Sequence, residues 1–574
     1  MFNMTNQSNK EKLREFWLTL MRCDSIRKIG FQIKDVYLAL FEKYNINSDK
    51  VDLTWTVLDV GIGVWLLDPD QPVSDFEHLL SSLQLPQQTP NKSCVDALEA
   101  DMILLSEGMK KLFQMLQCKD MWNLFVCLET KLVNVLAGME RREMSISIHT
   151  LLHFSSVLKR NLTSLEEKAH KAAGHAFLLN SHHQLRQVLF EELKLDSYLP
   201  GKTKLAKTNV TREISTSETV LTQLLPFHPL PGILLEYRQL QKLKSTYIDG
   251  ILSCVNDSYL TTHWDQTSAA TGRLSSHHPN IQAIPKLPVT IKDHQTNFIV
   301  GKVNSAVEGD NVVQFNARDV FISRPDWSLL SADFQQIELR ILGHLTNDPI
   351  LLKIFSDKTV PDIFNALAAQ WMGKCVEDVS EADREQTKRV VYSVMYGIGK
   401  EKLASYLKCT TDTAKAIMAS FLLKFPAVNQ FTKSCVEFCE KYGYTRTIFK
   451  RRRLFPNITH RNGALRAQAE RQCVNFCVQG SAADICKAAM LQVENALASN
   501  RDIKARLLVQ IHDEVLLEVA DSDLNTVSGL VKSVMESEKL CGSVVSLRVP
   551  IPVSISVGKT WGQMHPLSAT CNNS

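Results

Sequence analysis

Several things are missing from this chain, and each absence narrows its chemistry. No apolar run approaches the roughly 20 residues that a membrane-spanning helix needs. The opening residues, Met1 to Lys10, are polar and unlike a secretory leader. The 14 cysteines are scattered, with no pair two residues apart and no disulfide framework, which leads to the expectation of a reducing intracellular setting. Charge of one sign is missing too. With 65 Lys+Arg against 61 Asp+Glu the net charge is only +4, so binding a polyanion would require cations gathered into a channel. There is no internal repeat and no low-complexity tract. In the first 128 residues there is no dense acidic cluster either: Asp35, Asp59, Asp68 and Asp101 stand far apart and read as surface groups rather than metal ligands. What remains, 44 % hydrophobic and 22 % charged over 574 residues, is an ordinary globular protein large enough for more than one domain.

The chemistry is concentrated in one stretch. In Arg384-Glu-Gln-Thr-Lys388-Arg-Val-Val-Tyr392-Ser-Val-Met-Tyr396-Gly397, two cations and two aromatics recur every four residues. On a helix that spacing keeps them near one face. Two cations one turn apart suit a triphosphate, and an aromatic one turn further suits a sugar and base. The alternative is a solvated basic face running into a core face. Two further elements bear on the choice. Trp327-Ser-Leu-Leu-Ser-Ala-Asp333 is a short apolar strand ending on an acid, and Leu507 to Val519 reads as two apolar strands around a turn containing His512-Asp513-Glu514. Strands that each present a carboxylate at one end can hold both acids against two divalent cations, and magnesium prefers such oxygen ligands. Two such ions would assist an in-line displacement at phosphorus.

Around these elements the chain reads as follows. Residues 11–128 look like a small α/β unit, with a helical pattern over Lys12–Phe41 and Glu99–Leu116 and a strand or buried helix over Leu53–Asp70. Helical texture covers Leu128–Asn161, Leu165–Leu195 and Glu236–Leu252. A polar stretch from Pro200 to Ser217 is read as an exposed loop whose four cations could touch phosphates. Residues 286–316 are read as an inserted surface loop or small hairpin, Gln336–Lys441 as mainly helical, and Arg466–Asn495 as one long helix.

The three chemical elements resemble motifs A, B and C of the family A DNA polymerases, the group that includes bacterial polymerase I. Asp333-Phe-Gln-Gln-Ile-Glu-Leu-Arg is similar to motif A, Arg384-x3-Lys388-x3-Tyr392-x3-Tyr396-Gly397 to motif B, and Gln510-Ile-His-Asp-Glu-Val to motif C. Further matches are Thr271-Gly-Arg273-Leu-Ser-Ser, Pro279-Asn280-Ile-Gln282, Lys242-Leu-Lys-Ser-Thr-Tyr247, Gly174-His-Ala-Phe-Leu-Leu-Asn180-Ser and Arg471-x3-Asn475-x3-Gln479-Gly-Ser-Ala-Ala-Asp484. The likeness runs from about residue 129 to Trp561. Asp383-Arg-Glu-Gln-Thr-Lys, Tyr392 and Arg466-Ala-Gln-Ala-Glu-Arg471 are closest to the eukaryotic nu- and theta-type branches of the family.

The resemblance implies an α/β (α+β) right-hand polymerase preceded by a degenerate, RNase H-like exonuclease-type domain. The implied parts are an inactive exonuclease-like domain at 1–128, a thumb at 129–260, palm at 261–345 (with the 286–316 insertion) and 471–574, and fingers at 346–470. It implies Asp333 and Asp513 as metal ligands for two Mg2+ ions, with Mn2+ as a substitute, and Glu514 as a neighbouring acid. Arg384 and Lys388 would bind the triphosphate of a dNTP, Tyr392 would stack on the nucleotide, Tyr396 would flank the templating position, and Glu338 would exclude a ribose 2′-hydroxyl. Arg273, Asn280, Gln282, Arg471, Asn475, Gln479 and His512 would contact primer-template DNA, with Lys242 and Lys244 holding the duplex backbone. Other implied features are a nuclear location, a part in DNA repair or translesion synthesis, and protein partners there.

Departures from the family pattern carry expectations of their own. Phe364 stands where many members have a histidine that touches the triphosphate. Arg389 follows Lys388 where a small or neutral residue is usual, and a long cation able to reach phosphates regardless of base leads to an expectation of low fidelity. The exonuclease-type acids, an Asp-x-Glu strand and a Tyr-x-x-x-Asp, are not found, so no proofreading is expected. A catalytically silent DNA-binding homologue and an RNA polymerase of the same architecture are the competing readings. Retention of Asp333, Lys388 and Asp513 argues against the first, and Glu338 against the second.

Overall fold

A computed structural model describes residues 7–23, 25–44, 55–86, 94–199, 205–207, 213–292, 312–357, 359–541 and 546–567. Its largest sheet is built on the strand that carries Asp333 near its end. Five strands form it: β1 (Trp327–Phe334), β2 (Ala505–Ile511), β3 (Glu514–Ala520), β4 (Val553–Gly558) and β5 (His565–Pro566). They lie in the order β2-β3-β1-β4-β5, antiparallel throughout. Side chains alternate between the faces, yet Leu329, Leu330 and Ala332 are all at most 2 % exposed, so β1 is covered on both sides and reads as an unbroken apolar run. Each buried leucine contributes on the order of 2 kcal/mol. Leu329, Ser331 and Asp333 share one face, and Glu518, Leu516 and Glu514 stand opposite them on β3.

The helical stretch after β1 divides into several helices, of which α1 (Ile337–Thr346), α2 (Glu381–Met395), α3 (Lys400–Leu407) and α4 (Pro426–Tyr442) matter here. α2 begins at a capping box. The Ser380 hydroxyl accepts from the Asp383 backbone N–H at 3.2 Å, and the Asp383 carboxylate accepts from that of Ser380 at 3.1 Å. It ends where Gly397 turns left-handed (φ 62°) and the Ile398 N–H reaches back to the Ser393 carbonyl at 2.7 Å, a stop that favours glycine. The expected long helix is α5, Gly463–Ser499, and it is continuous through residue 471. The expected boundary between fingers and palm at 470/471 therefore falls inside one rigid rod of about 55 Å. α6 (Leu524–Met535) packs on β1, β3 and β4 and against α5.

Upstream, some expectations are corrected. The stretch Leu53–Asp70, open between strand and helix, is both in its described part, 55–70: Val57–Asp59 pairs in parallel with Lys28–Gly30, and helix Val60–Leu67 follows at once. Asp59 makes the switch by accepting from the N–H groups of Gly61 at 2.9 Å and Ile62 at 3.3 Å, while its other oxygen accepts from Ile33 N–H at 2.8 Å. It is thus a buried cap, not a surface group, and burial raises its pKa to about 6. The helical reading of Leu128–Asn161 is broken by strand Met144–Ile146, held between Tyr259–Leu260 and Phe321–Ile322 in a three-stranded sheet. In the Pro200–Ser217 stretch, residues 200–204 and 208–212 lie outside the described residues. For the 286–316 insertion, Val289–Lys292 and Val312–Phe315 pair as an antiparallel hairpin, and 293–311 lie outside the described residues.

A buried ionic cluster joins these parts. Arg451, 1 % exposed, binds both Glu129 and Asp484, and Lys487 reaches Glu129 at 2.9 Å. Burial works against charge on Glu129, but Lys487 and Arg451 overcome it and hold the carboxyl down at about 2. The Trp65 ring, from the N-terminal unit, lies 5.3 Å from the Arg451 guanidinium and 5.4 Å from the Lys487 ammonium. On the other side Arg451 packs against Gly272, where an added Cβ would stand 2.8 Å from Nε and φ is +81°. Gly272 precedes Arg273, so the cluster anchors the backbone next to that residue.

Candidate active site

The turn between β2 and β3 carries Asp513. Ile511 and Glu514 are opposite each other, leaving His512 and Asp513 as the two-residue loop. His512 adopts a left-handed conformation (φ 53°), which costs about 1 kcal/mol for a side-chain-bearing residue. Two glutamines hold it there: the Gln510 side chain donates to the His512 carbonyl, and Gln282 Nε2 donates to the Gln510 carbonyl at 3.1 Å. The Phe334 N–H donates to the Asp513 carbonyl at 3.1 Å and fastens the turn beside the end of β1. The two acids named from the sequence, Asp333 and Asp513, thereby sit at the same end of neighbouring strands.

Their environment resists double ionisation. Burial pushes the Asp513 carboxyl up to about 7, reinforced by the negative charge of Glu338 and Asp333 and opposed by Arg273. Asp333 is raised by burial and by Glu514, with Lys286 3.8 Å away pulling the other way. Glu514 is placed differently from the other two. It is 7 % exposed, accepts from the Ser331 hydroxyl and lies 3.7 Å from Arg318, so its carboxylate is satisfied internally. Arg318 and Lys286, cations beside these acids, were not singled out from the sequence.

Glu338, on the first turn of α1, joins the acids to α2. Arg273 donates to it at 2.5 Å and the Tyr396 hydroxyl donates to its other oxygen. Burial and the Glu338 charge both raise the Tyr396 pKa, so the phenol keeps its proton and remains a donor. Tyr396 and Tyr392 stack with centroids 5.9 Å apart and planes 12° apart, and Phe364 lies 6.0 Å from Tyr392. The cations of the same face are occupied. Arg384 binds Asp362 at 2.9 Å, Glu385 at 2.9 Å and Glu381 at 3.2 Å, and Lys388 lies 3.7 Å from Glu385. Phe364 is a floor for both, 5.8 Å from the Arg384 guanidinium and 6.0 Å from the Lys388 ammonium. Arg389 is exposed, and it donates to the Tyr406 carbonyl at 2.7 Å, which ties α2 to α3 instead of leaving a free cation.

The residues expected at a nucleic acid divide into two groups. Arg471, Asn475 and Gln479 follow one another along α5, Arg471 exposed and the others half-buried. The Asn475 Oδ1 atom is buried with no hydrogen-bond partner, and the Arg471 stem packs against Gly397. His512 is exposed, with its pKa lowered by burial and by Arg273 and Arg318, so the ring is neutral at neutral pH. Lys242 is exposed at the end of its helix, whereas Lys244 is paired with Asp249 at 2.7 Å. Asn280 and Gln282 are occupied locally: Asn280 Oδ1 accepts from Ala283 N–H at 3.1 Å, and Gln282 braces the turn described above.

A mixed α/β hand with paired acids on a central sheet and a cation–aromatic helix facing them is the architecture of a nucleic-acid polymerase domain. Residues 148–563 match the model of DNA polymerase family A, and the chain belongs to that family. It is 35 % identical over 464 residues to the thermostable DNA polymerase I of Thermus caldophilus, covering 80 % of this chain and 50 % of that one. With DNA polymerase I of Geobacillus stearothermophilus it shares 32 % identity over 535 residues, 89 % of this chain and 56 % of the relative. The chain thus spans about half the length of these curated relatives. Its fold superposes on the POL domain of Pol1 from M. smegmatis, solved in complex with DNA primer-template and dNTP, with a TM-score of 0.80 at 27 % identity, covering 96 % of this chain and 89 % of that one.

Proposed function

We propose that this chain is a template-directed DNA polymerase that adds deoxynucleotides to a primer 3′ end. The observation that carries the reading is the convergence of Asp333 and Asp513 at one end of the sheet, beside the Arg273–Glu338–Tyr396 chain that leads to α2. The names of the relatives, and the primer-template DNA and dNTP in the M. smegmatis complex, support it. Two carboxylates whose pKa values are raised by burial and by neighbouring acids fit a divalent cation. Among the described residues no group of three or more His, Cys, Asp or Glu side chains is arranged to hold a metal. Asp333 and Asp513 would therefore share magnesium, or manganese in its place, with water and substrate phosphates. When bound, the cations would supply charge neutralisation at the transferring phosphoryl group.

The remaining residues bind and orient. Arg384 and Lys388 take the triphosphate, exchanging Asp362, Glu381 and Glu385 for phosphate oxygens. Tyr392 supplies a stacking face for the nucleotide, and Tyr396 flanks the templating position. Glu338, fixed by Arg273 and Tyr396, fills the space that a 2′-hydroxyl would need. Arg471, Asn475, Gln479 and His512 meet the primer-template near its paired end. Minor-groove acceptors are nearly alike for all Watson–Crick pairs, so such contacts test pairing without reading sequence. Lys242 adds a salt-dependent backbone contact.

The proposal extends to an enzyme without proofreading and of low fidelity, working in DNA repair or translesion synthesis in the nucleus with protein partners there. The role of Asp59 as a buried helix cap supports the first point, since a carboxylate spent on three backbone N–H groups is poorly placed to ligate a metal. Primer extension with magnesium and each dNTP offered separately tests the whole, with Asp513→Ala as control. Templated insertion that disappears in the variant is expected. DNA binding with no insertion by the unaltered chain would leave a catalytically silent homologue.

A further inference from the structure

Helices α4 and α5 meet along a seam of four cysteines. Cys435 and Cys439 lie one turn apart on α4, and Cys473 and Cys477 one turn apart on α5. The Cys435 and Cys477 sulfurs are 3.8 Å apart. Cys439 and Cys473 form a second hydrogen-bonded thiol pair, and the Cys473 thiol also donates to the Cys435 carbonyl at 3.5 Å. The inner pair is fully buried, Cys477 is 5 % exposed, and Cys435 is half-buried and within reach of small solutes. The family motifs described above assign no task to any of these sulfurs.

The surroundings favour ionisation of one thiol. Thr445 Oγ1 lies 3.0 Å from Cys477 Sγ; the hydrogen bond from Cys435 lowers the Cys477 pKa, burial opposes it, and the hydrogen bond from Thr445 adds to the lowering, which prevails. A cleft of about 720 Å³ opens next to the seam, lined by Glu440, Gly443, Phe455, Ile458, Ala469 and Gln472 among others. Phe455, Ile458 and Ala469 belong to one buried cluster with Cys439 and Cys473. The half-buried Cys435 is the point at which a small polar oxidant reaches the outer pair.

We propose that Cys435 and Cys477 form a redox-active dithiol, oxidised by hydroperoxides to a disulfide that bolts α4 to α5. The thiolate attacks the terminal peroxide oxygen, the O–O bond breaks, and the sulfur becomes a sulfenic acid with release of hydroxide from hydrogen peroxide, or alkoxide from an organic hydroperoxide, which is protonated to water or alcohol. The second thiol then attacks that sulfur, the S–O bond breaks, and water leaves with the thiol proton. Two sulfurs are oxidised by one electron each and the peroxide is reduced by two. Cys473 and Cys477 lie about 200° round α5 from Arg471 and Asn475. The bolt thus forms behind the helix and leaves the proposed DNA-facing side chains in place.

The test uses the full chain with hydrogen peroxide. After free thiols are blocked, tryptic digestion without reduction should release Ser434–Lys441 joined to Gln472–Lys487. The oxidised protein should unfold at a temperature higher by roughly 5 °C, should revert with dithiothreitol, and should bind primer-template with unchanged affinity. The Cys439→Ser/Cys473→Ser double variant should retain the link. The Cys435→Ser/Cys477→Ser double variant should lose the rise in unfolding temperature. Peroxide that yields only sulfinic or sulfonic acids on unlinked peptides would overturn the proposal. So would metal analysis finding one zinc per chain whose removal is needed before the thiols react. A second digestion of the linked wild-type peptides with chymotrypsin, cutting after Phe438 and Phe476, separates Cys435 from Cys439 and Cys473 from Cys477, so the bonded pair is identified without any variant, and a link through Cys439 and Cys473 would overturn the proposal.

Discussion

Asp513→Asn should abolish primer extension and yet stabilise the protein in alkaline solution. The folded Asp513 carboxyl is raised from 3.8 to about 7. A folded pKa above the unfolded value means that the folded state holds the proton more tightly. The associated stability is present in acid and is lost as pH rises to 7. The difference, 7 minus 3.8, is about 3 pK units, or about 4 kcal/mol at 1.36 kcal/mol per unit. The carboxyl is only partly buried, so about half of that is the expectation after screening. Asparagine keeps the shape and removes the titration. Urea unfolding of both proteins at pH 5 and pH 8.5, with chelator present, isolates the effect. About two of the pK units fall inside that window, so the stability gap in favour of the variant should widen by about 1 kcal/mol or somewhat more. Adding magnesium at pH 8.5 should narrow it, because a bound cation relieves the same repulsion in the wild type alone. A gap that stays constant with pH, or that reverses in alkali, would refute the reasoning.

Three further outcomes follow from the contacts described. Glu338→Ala removes the acid that Arg273 and Tyr396 hold, so the ratio of ribonucleotide to deoxynucleotide kcat/KM should rise by about tenfold or more, read by single-nucleotide insertion. Arg451→Met leaves Glu129 and Asp484 as buried acids with one cation, Lys487, between them; a loss of about 3–5 kcal/mol in urea unfolding is expected, and a loss below about 1 kcal/mol would mean that the cluster is solvated. Arg389→Ala releases the tie to the Tyr406 carbonyl and should cost no more than about 1 kcal/mol in stability. If Arg389 lowers accuracy, the variant should also improve the right-to-wrong kcat/KM ratio by about threefold, and an unchanged ratio would place any low fidelity elsewhere.

The strand that carries Asp333 near its end, the hairpin around Asp513, the helix from Arg384 to Tyr396 and the long helix through Arg471 were all legible in the sequence. Each is an element whose signal is local: an apolar run, a four-residue recurrence, a capping Ser380 or a stopping Gly397. What could not be read was how side chains are spent. Nothing near Arg384 in the chain shows that Asp362, 22 residues away, already holds it, or that Phe364 lies beneath it. Asn280 and Gln282 look like recognition residues by type, and only the fold shows them capping a turn and bracing another. Asp59 reads as a surface acid in the sequence because a lone carboxylate carries no periodic signal, and its cap is visible only with the backbone in place. The four cysteines looked scattered because the two turns that carry them are 38 and 42 residues apart and meet only through the packing of α4 on α5.

The spent side chains share one feature. Arg384 is matched by three carboxylates and Lys388 lies beside one of them, while Glu338 is matched by Arg273 and Tyr396 and Asp333 by Lys286. Within the protein these charges are matched pair by pair. A triphosphate with two magnesium ions would bring roughly equal and opposite charges to both sides at once. The acids around Arg384 would be released as phosphate takes their place, while the cation relieves Asp513 and Asp333. Such an exchange costs little in net charge but requires several partners to move together. That favours a complete nucleotide–metal unit over either component alone, because phosphate without the cation would face Asp333 and Asp513 at full repulsion. Affinity for the triphosphate should therefore fall steeply when magnesium is withdrawn, and fall less in Asp513→Asn, where one of the repelling charges is gone. Equal losses in the two proteins on chelation would show that Asp513 does not face the phosphates.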